Sequence, residues 1–284
     1  MKLVRYLNAG GDPRVGVVVD ESVHDLPVYD MAALLGHTLA EIRELVESAA
    51  ATAPVATLAE VSLLVPIDGR TEVWGAGVTY LRSRKARQEE SRHDLVYTEV
   101  YDAERPELFF KAPAWRVRTD GEAGGLRADC ADTVAEPELA LVLNQHGETI
   151  GALVCNDMTA RGIEAENPIY LPQAKVYDGS TILSTAIVPW WTITDPEDLL
   201  VTIEVRRDDE IAFQGSASTA SMKRGYAELV GFLFRGQGFP DGAVLSTGTG
   251  IVPELGDGLR PGDVVRVSVD QVGTLTNVME GLAS

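Results

Sequence analysis

The sequence predicts a strand-rich α+β fold, with a small N-terminal α/β domain ahead of a larger β-roll or barrel-like domain. Three observations carry this. Short apolar runs of strand length recur along the chain, each closed by Gly, Asp or Pro turn signals. Only two stretches have clear helical periodicity. Strands and helices do not alternate regularly, which argues against a doubly wound parallel sheet.

Residues 1–65 form the first unit. The opening MKLVRYLNAGG carries Lys2 and Arg5 but no apolar block followed by a small-residue cleavage site, so it reads as a strand and not a signal peptide. Asp12-Pro13 marks a turn before a second strand at 15–19. Thr38-Leu39-Ala40-Glu41 is a capping box, and the helix it opens puts Ile42, Leu45 and Val46 on one face. An Ala-rich stretch and Pro54 end that helix.

A boundary falls near Pro66, and residues 66–284 form the main domain. Strands are expected at 73–78, 108–111, 138–143, 149–155, 200–206 and 264–269, with turns at His146-Gly147 and Arg260-Pro261-Gly262-Asp263. One helix is expected over 221–234, with Tyr226, Leu229, Val230 and Leu233 facing the core and Gly236 as its stop.

Composition narrows the function. The 284 residues carry a net charge of −19, which argues against nucleic acid, whose phosphates need a basic surface. Acid-rich, lysine-poor usage fits a salt-adapted host and a high-GC genome equally. No apolar stretch reaches the ~20 residues a bilayer requires. The two cysteines, Cys130 and Cys155, have neither metal-motif spacing nor the density of a disulfide scaffold, so a reducing cytoplasm is expected. The four histidines form no pair at zinc-ligand spacing. Residues 81–107 are densely charged with both signs and poor in core residues. They suit either a solvated helix and loop or a lid that closes over a ligand.

The chemistry concentrates in Glu136-Pro137-Glu138. In extended chain, residues two apart point to the same face, so both carboxylates converge. A hairpin through 149–155 returns the chain and brings Asp157 beside them. Three clustered carboxylates repel one another unless a cation or protons intervene. Oxygen-only ligation selects a hard ion, Mg²⁺ first, then Mn²⁺ or Ca²⁺. Glu-x-Glu alone is also common on solvated strands.

Several further segments carry a resemblance. Trp74-Gly75-Ala76-Gly77-Val78-Thr79-Tyr80, Glu107-Leu108-Phe109-Phe110-Lys111, Glu136 to Leu143, Asn156-Asp157-Met158-Thr159-Ala160-Arg161, Leu245 to Thr249, 259–265 and Val272 to Asn277 resemble, in order, motifs of the fumarylacetoacetate hydrolase family. The resemblance covers about residues 66–280. It implies a mixed β-sandwich roll, metal ligands at Glu136, Glu138 and Asp157, Lys175 as the lysine of the site, and a homodimer or homotetramer.

Two departures choose a branch. Hydrolytic members place a His three residues after the tyrosine matching Tyr80, where this chain has Ser83, and a serine hydroxyl cannot replace imidazole as a base near neutral pH. His93 is the nearest substitute. The run 163–177 is similar to the branch that dehydrates 2-dehydro-3-deoxy-pentonates. That implies a small-molecule 2-oxo sugar acid as substrate, removal of a C3 proton, loss of the C4 hydroxyl as water, and 2,5-dioxopentanoate as product. Lys175 and Glu107 are the candidates for proton transfer, against readings as a structural salt bridge and an exposed strand-end charge. Ser83 and Thr249 are candidate hydrogen-bond donors to substrate, or turn formers. Arg161 is expected to be structural. Acylpyruvate hydrolysis, oxaloacetate decarboxylation and an inactive metal-binding scaffold are the alternatives.

Overall fold

The computed structural model describes residues 1–82, 100–254 and 256–283. Ser83, His93 and most of the charged 81–107 stretch lie outside these.

The fold is strand-rich and mixed. Its main sheet runs, in spatial order, through Ala56–Thr57, Ser22–Asp25, Pro13–Val19, Lys2–Leu7, Ala186–Pro189, Thr149–Asp157, Pro137–Leu143, Ala243–Ser246, Glu72–Gly77 and Glu107–Pro113. Most neighbours are antiparallel, but Ala243–Ser246 runs parallel to Glu72–Gly77. A second sheet of five strands holds Glu210–Ser218, Leu200–Arg207, Val264–Val269, Gly273–Gly281 and Gly124–Leu126.

The central hairpin, Pro137–Leu143 with Thr149–Asp157, is apolar on both faces because both faces are covered. Leu139, Leu141 and Val154 point into one core, closed by Val201, Ile203, Val265 and Val267 of the second sheet. Ala140, Val142, Leu153 and Cys155 point the other way, against Ile42 and Val46 of the Leu39–Ala50 helix. The expected capping box forms: Thr38 Oγ accepts from Glu41 N–H, and the Glu41 carboxylate accepts from Thr38 N–H at 2.9 Å.

The helix expected over 221–234 is shorter, at Tyr226–Leu233. The preceding residues are held elsewhere. Lys223 N–H donates to Thr79 O at 2.9 Å, Met222 bridges Tyr80, and Arg224 Nη2 donates to Ala103 O at 2.6 Å. Bonds to residues distant in sequence outcompete the helical periodicity there. Short helices at Met31–Leu35, Arg161–Glu166 and Leu171–Lys175, and the strand Glu210–Ser218, add to the expected elements. Among the described residues no helix is long and apolar enough to cross a membrane.

Candidate active site and metal centre

The central hairpin sets the register of the site. Pro137 pairs with Asn156, which places Glu136 across from Asp157, and Asp157 N–H donates to Glu136 O at 2.9 Å. Cross-strand partners and residues two apart share a face, so Glu136, Glu138 and Asp157 converge. Their exposures are 7%, 2% and 1%, and one carboxylate oxygen from each lies within 4.8 Å of the others.

Each carboxylate is fixed by buried donors. Glu138 Oε2 accepts from Gly248 N–H at 2.7 Å and from the Ser246 hydroxyl. Gly248 has φ +94°, and a Cβ there would stand 2.0 Å from Thr79 Oγ, so a glycine is needed for this donor. Lys175, at the end of the Leu171–Lys175 helix, donates from Nζ to Glu136 Oε2 at 2.7 Å, Asp157 Oδ2 at 2.8 Å and Thr159 Oγ at 2.7 Å. Beneath it, Lys111 is fully buried. Its Nζ directs hydrogen bonds to Met158 O at 2.8 Å and Lys175 O at 2.6 Å, and makes a close ion pair with Asp157 Oδ1 at 2.7 Å.

The electrostatics follow from this packing. Burial, then the charges of Asp157 and Glu136, pushes the Glu138 carboxyl up to about 8. Burial lowers the Lys111 ammonium from its ordinary value, against the pull of Asp157.

The cluster forms one wall of a cleft. Glu107, Phe109, Arg161, Glu164, Lys175 and Thr249 also line it. Glu107 opens its strand opposite Gly77, and a Cβ on Gly77 would lie 2.0 Å from Glu107 Oε2. The Phe109 ring centroid is 5.1 Å from Lys175 Nζ. Thr249 Oγ accepts from Ile251 N–H at 3.1 Å, a turn-forming bond at the cleft wall. Arg161 Nη1 donates to Pro253 O at 2.9 Å.

Six of the seven expected site residues therefore share this cleft: Glu136, Glu138, Asp157, Lys175, Glu107 and Thr249. The seventh, Ser83, lies outside the described residues. The donor set suits a hard dication. It offers oxygens only, the oxygens are close together, and burial with the neighbouring carboxylate charges raises Glu138 to about 8.

Four residues with a place in the site were not expected from sequence. Lys111, Ser246 and Gly248 fix the carboxylates, and Glu164 adds a buried acid to the cleft. Lys111 and Gly248 stood inside segments already singled out by the resemblance. Their signal was the placement of a lysine in an otherwise apolar strand, and of a glycine after Ser246-Thr247.

Comparison with known proteins identifies the family and the fold. The family model for the fumarylacetoacetate hydrolase C-terminal region matches residues 72–280. A probable 2-keto-3-deoxyxylonate dehydratase of Haloferax volcanii is 44% identical over 213 residues, 75% of this chain and 73% of the relative. The 2-dehydro-3-deoxy-D-arabinonate dehydratase of Saccharolobus solfataricus is 40% identical over 220 residues, 76% of this chain and 74% of the relative. A solved 2-keto-3-deoxy-D-arabinonate dehydratase complexed with magnesium and 2,5-dioxopentanoate superposes over 100% of both chains with a TM-score of 0.86 at 33% identity.

Proposed function

The chain belongs to the fumarylacetoacetate hydrolase family, and from that premise we propose that it is a magnesium-dependent dehydratase of a 2-dehydro-3-deoxy-pentonate. The product is 2,5-dioxopentanoate. The observation that carries the reading is the buried Glu136, Glu138, Asp157 cluster facing Lys175 and Glu107 in one cleft, in a chain 44% and 40% identical to two pentonate dehydratases.

Glu136, Glu138 and Asp157 hold the ion. Magnesium bound there supplies Lewis-acid polarisation of the substrate's C2 carbonyl, which acidifies C3. The rest falls to the chain's own groups. Lys175 is the counter-ion of the carboxylates until a dication takes that role. A neighbouring like charge then favours its neutral amine, which accepts the C3 proton. The C3–H electrons form a C3=C4 double bond as the C4–O bond breaks, and the departing hydroxyl takes from Lys175 the proton it has just accepted, leaving as water. Glu107, lining the same cleft, takes a proton from C5 and returns it to C3, which gives the C4=C5 enol; the enol O–H proton then passes to C4, so the C5 alcohol becomes the aldehyde without any external oxidant. Thr249 and Ser83 are assigned to the substrate's oxygens as hydrogen-bond partners. The Phe109 ring excludes water beside Lys175.

Residues 66–284 carry this chemistry, and residues 1–65 act as a supporting unit whose Lys2–Leu7 strand pairs with Ala186–Pro189. The surrounding assignment is a cytoplasmic homodimer or homotetramer, in keeping with two free cysteines. Incubation with 2-dehydro-3-deoxy-D-arabinonate and Mg²⁺ should yield 2,5-dioxopentanoate, and EDTA should abolish it. Turnover of acylpyruvates or oxaloacetate in place of the pentonate would move the protein to a sibling activity.

A further inference from the structure

We propose that Lys111 and Ser246 make the carboxylate cluster selective for a small six-coordinate dication, by leaving two of its three ligands a single oxygen each to offer. The evidence is how the other oxygens are engaged. Asp157 Oδ1 faces Lys111 Nζ at 2.7 Å, and that ammonium is anchored from behind by Met158 O and Lys175 O, so the oxygen left for an ion is Oδ2, which accepts from Lys175 Nζ at 2.8 Å until the ion displaces the Lys175 ammonium. Glu138 Oε2 accepts from Ser246 Oγ and Gly248 N–H. Turning Glu138 Oε2 toward an ion would strip two buried donors of their acceptor, and turning Asp157 Oδ1 would break its ion pair with a fully buried ammonium. Lys111 has no exposure and Ser246 none, so water cannot take over.

Each of these two ligands therefore meets a cation through one oxygen. Mg²⁺ and Mn²⁺ accept that, because their near-octahedral shells are built from single oxygens. Ca²⁺ prefers six to eight oxygens and commonly draws both from one carboxylate. At Asp157 such closure would also press the ion toward the Lys111 charge. Lys111 is thus a positioning residue: it acts on the ion through Asp157 and Lys175. The inference rests on the cluster being the cation site, and not on which substrate is turned over.

The test is calorimetric titration of the metal-free, full-length protein with MnCl₂, MgCl₂ and CaCl₂, without substrate. Wild type, Lys111→Met and Ser246→Ala are compared, with circular dichroism to check the fold. Wild type should bind Mn²⁺ roughly tenfold tighter than Ca²⁺, and Lys111→Met should raise the Ca²⁺/Mn²⁺ affinity ratio by about tenfold. Ser246→Ala should raise it about threefold. A structural or long-range electrostatic role would move all three ions in proportion. An unchanged ratio in the variants, or Ca²⁺ binding to wild type as tightly as Mn²⁺, overturns the inference. Should Lys111→Met fail to fold, Ser246→Ala decides. Absence of binding by any ion removes the metal centre and the inference together, whereas a shifted ratio in a protein inactive on pentonates leaves the inference standing.

Discussion

Gly77 and Glu107 face each other across two paired strands so closely that any Cβ on Gly77 would sit 2.0 Å from Glu107 Oε2. The glycine makes room for a carboxylate in the cleft. Gly77→Ala should therefore act as a displaced Glu107, lowering kcat by roughly 10²-fold while Mg²⁺ affinity changes little. Glu107→Gln should match it. Steady-state kinetics beside metal titration of both variants checks this; a normal kcat in Gly77→Ala would detach Glu107 from the chemistry.

Lys175 donates to both Glu136 and Asp157, so its removal separates two roles. Lys175→Met should reduce turnover by about 10²- to 10⁴-fold, the range for a lost acid–base group. It should leave the metal-loaded fold intact, because the dication replaces the ammonium among the carboxylates. Turnover near the wild-type level would leave Lys175 a salt bridge alone.

The metal-free protein should lose stability as pH rises. Glu138 titrates at about 8 when folded, against 4.5 as its ordinary value. Its contribution is fully present below the ordinary value and is lost as pH climbs through the folded one, with a slope of at most about 1.4 kcal/mol per pH unit. EDTA-treated protein should show a falling Tm between pH 5 and 8. Glu138→Gln should flatten that slope, and saturating Mg²⁺ should flatten it too, because a bound cation keeps the carboxylate ionised in the folded state. A flat wild-type profile would contradict the burial and neighbouring charges that raise Glu138.

Arg224 is buried, donates to Ala103 O at 2.6 Å and pairs with Glu228 at 2.6 Å. It joins the chain just before Glu107 to the start of the Tyr226–Leu233 helix. Arg224→Met should cost about 2 kcal/mol in urea unfolding, and should also raise KM by loosening the approach to Glu107.

Much of this site was legible from residue order alone, for a local reason. A hairpin converts spacing into proximity, so the Glu-x-Glu pair and the Asp157 turn announce their own meeting. The capping box at Thr38 and the strands of the central sheet were legible likewise, since each depends on neighbours in sequence. The helix before Tyr226 was not, because Lys223 and Arg224 are claimed by distant carbonyls. Glu210–Ser218 escaped notice because an edge strand with small and polar side chains carries no apolar alternation. Lys111 is the sharpest case: nothing near it in sequence says that it lies under Asp157, since only the pairing of separate strands brings them together.

The central claim is that Glu136, Glu138 and Asp157 hold one divalent ion from the same side. Anomalous diffraction from crystals soaked in Mn²⁺ tests it most directly. One peak about 2.1–2.3 Å from an oxygen of each of the three residues is the expected result. A peak elsewhere, or three carboxylates turned apart with no ion between them, would contradict it.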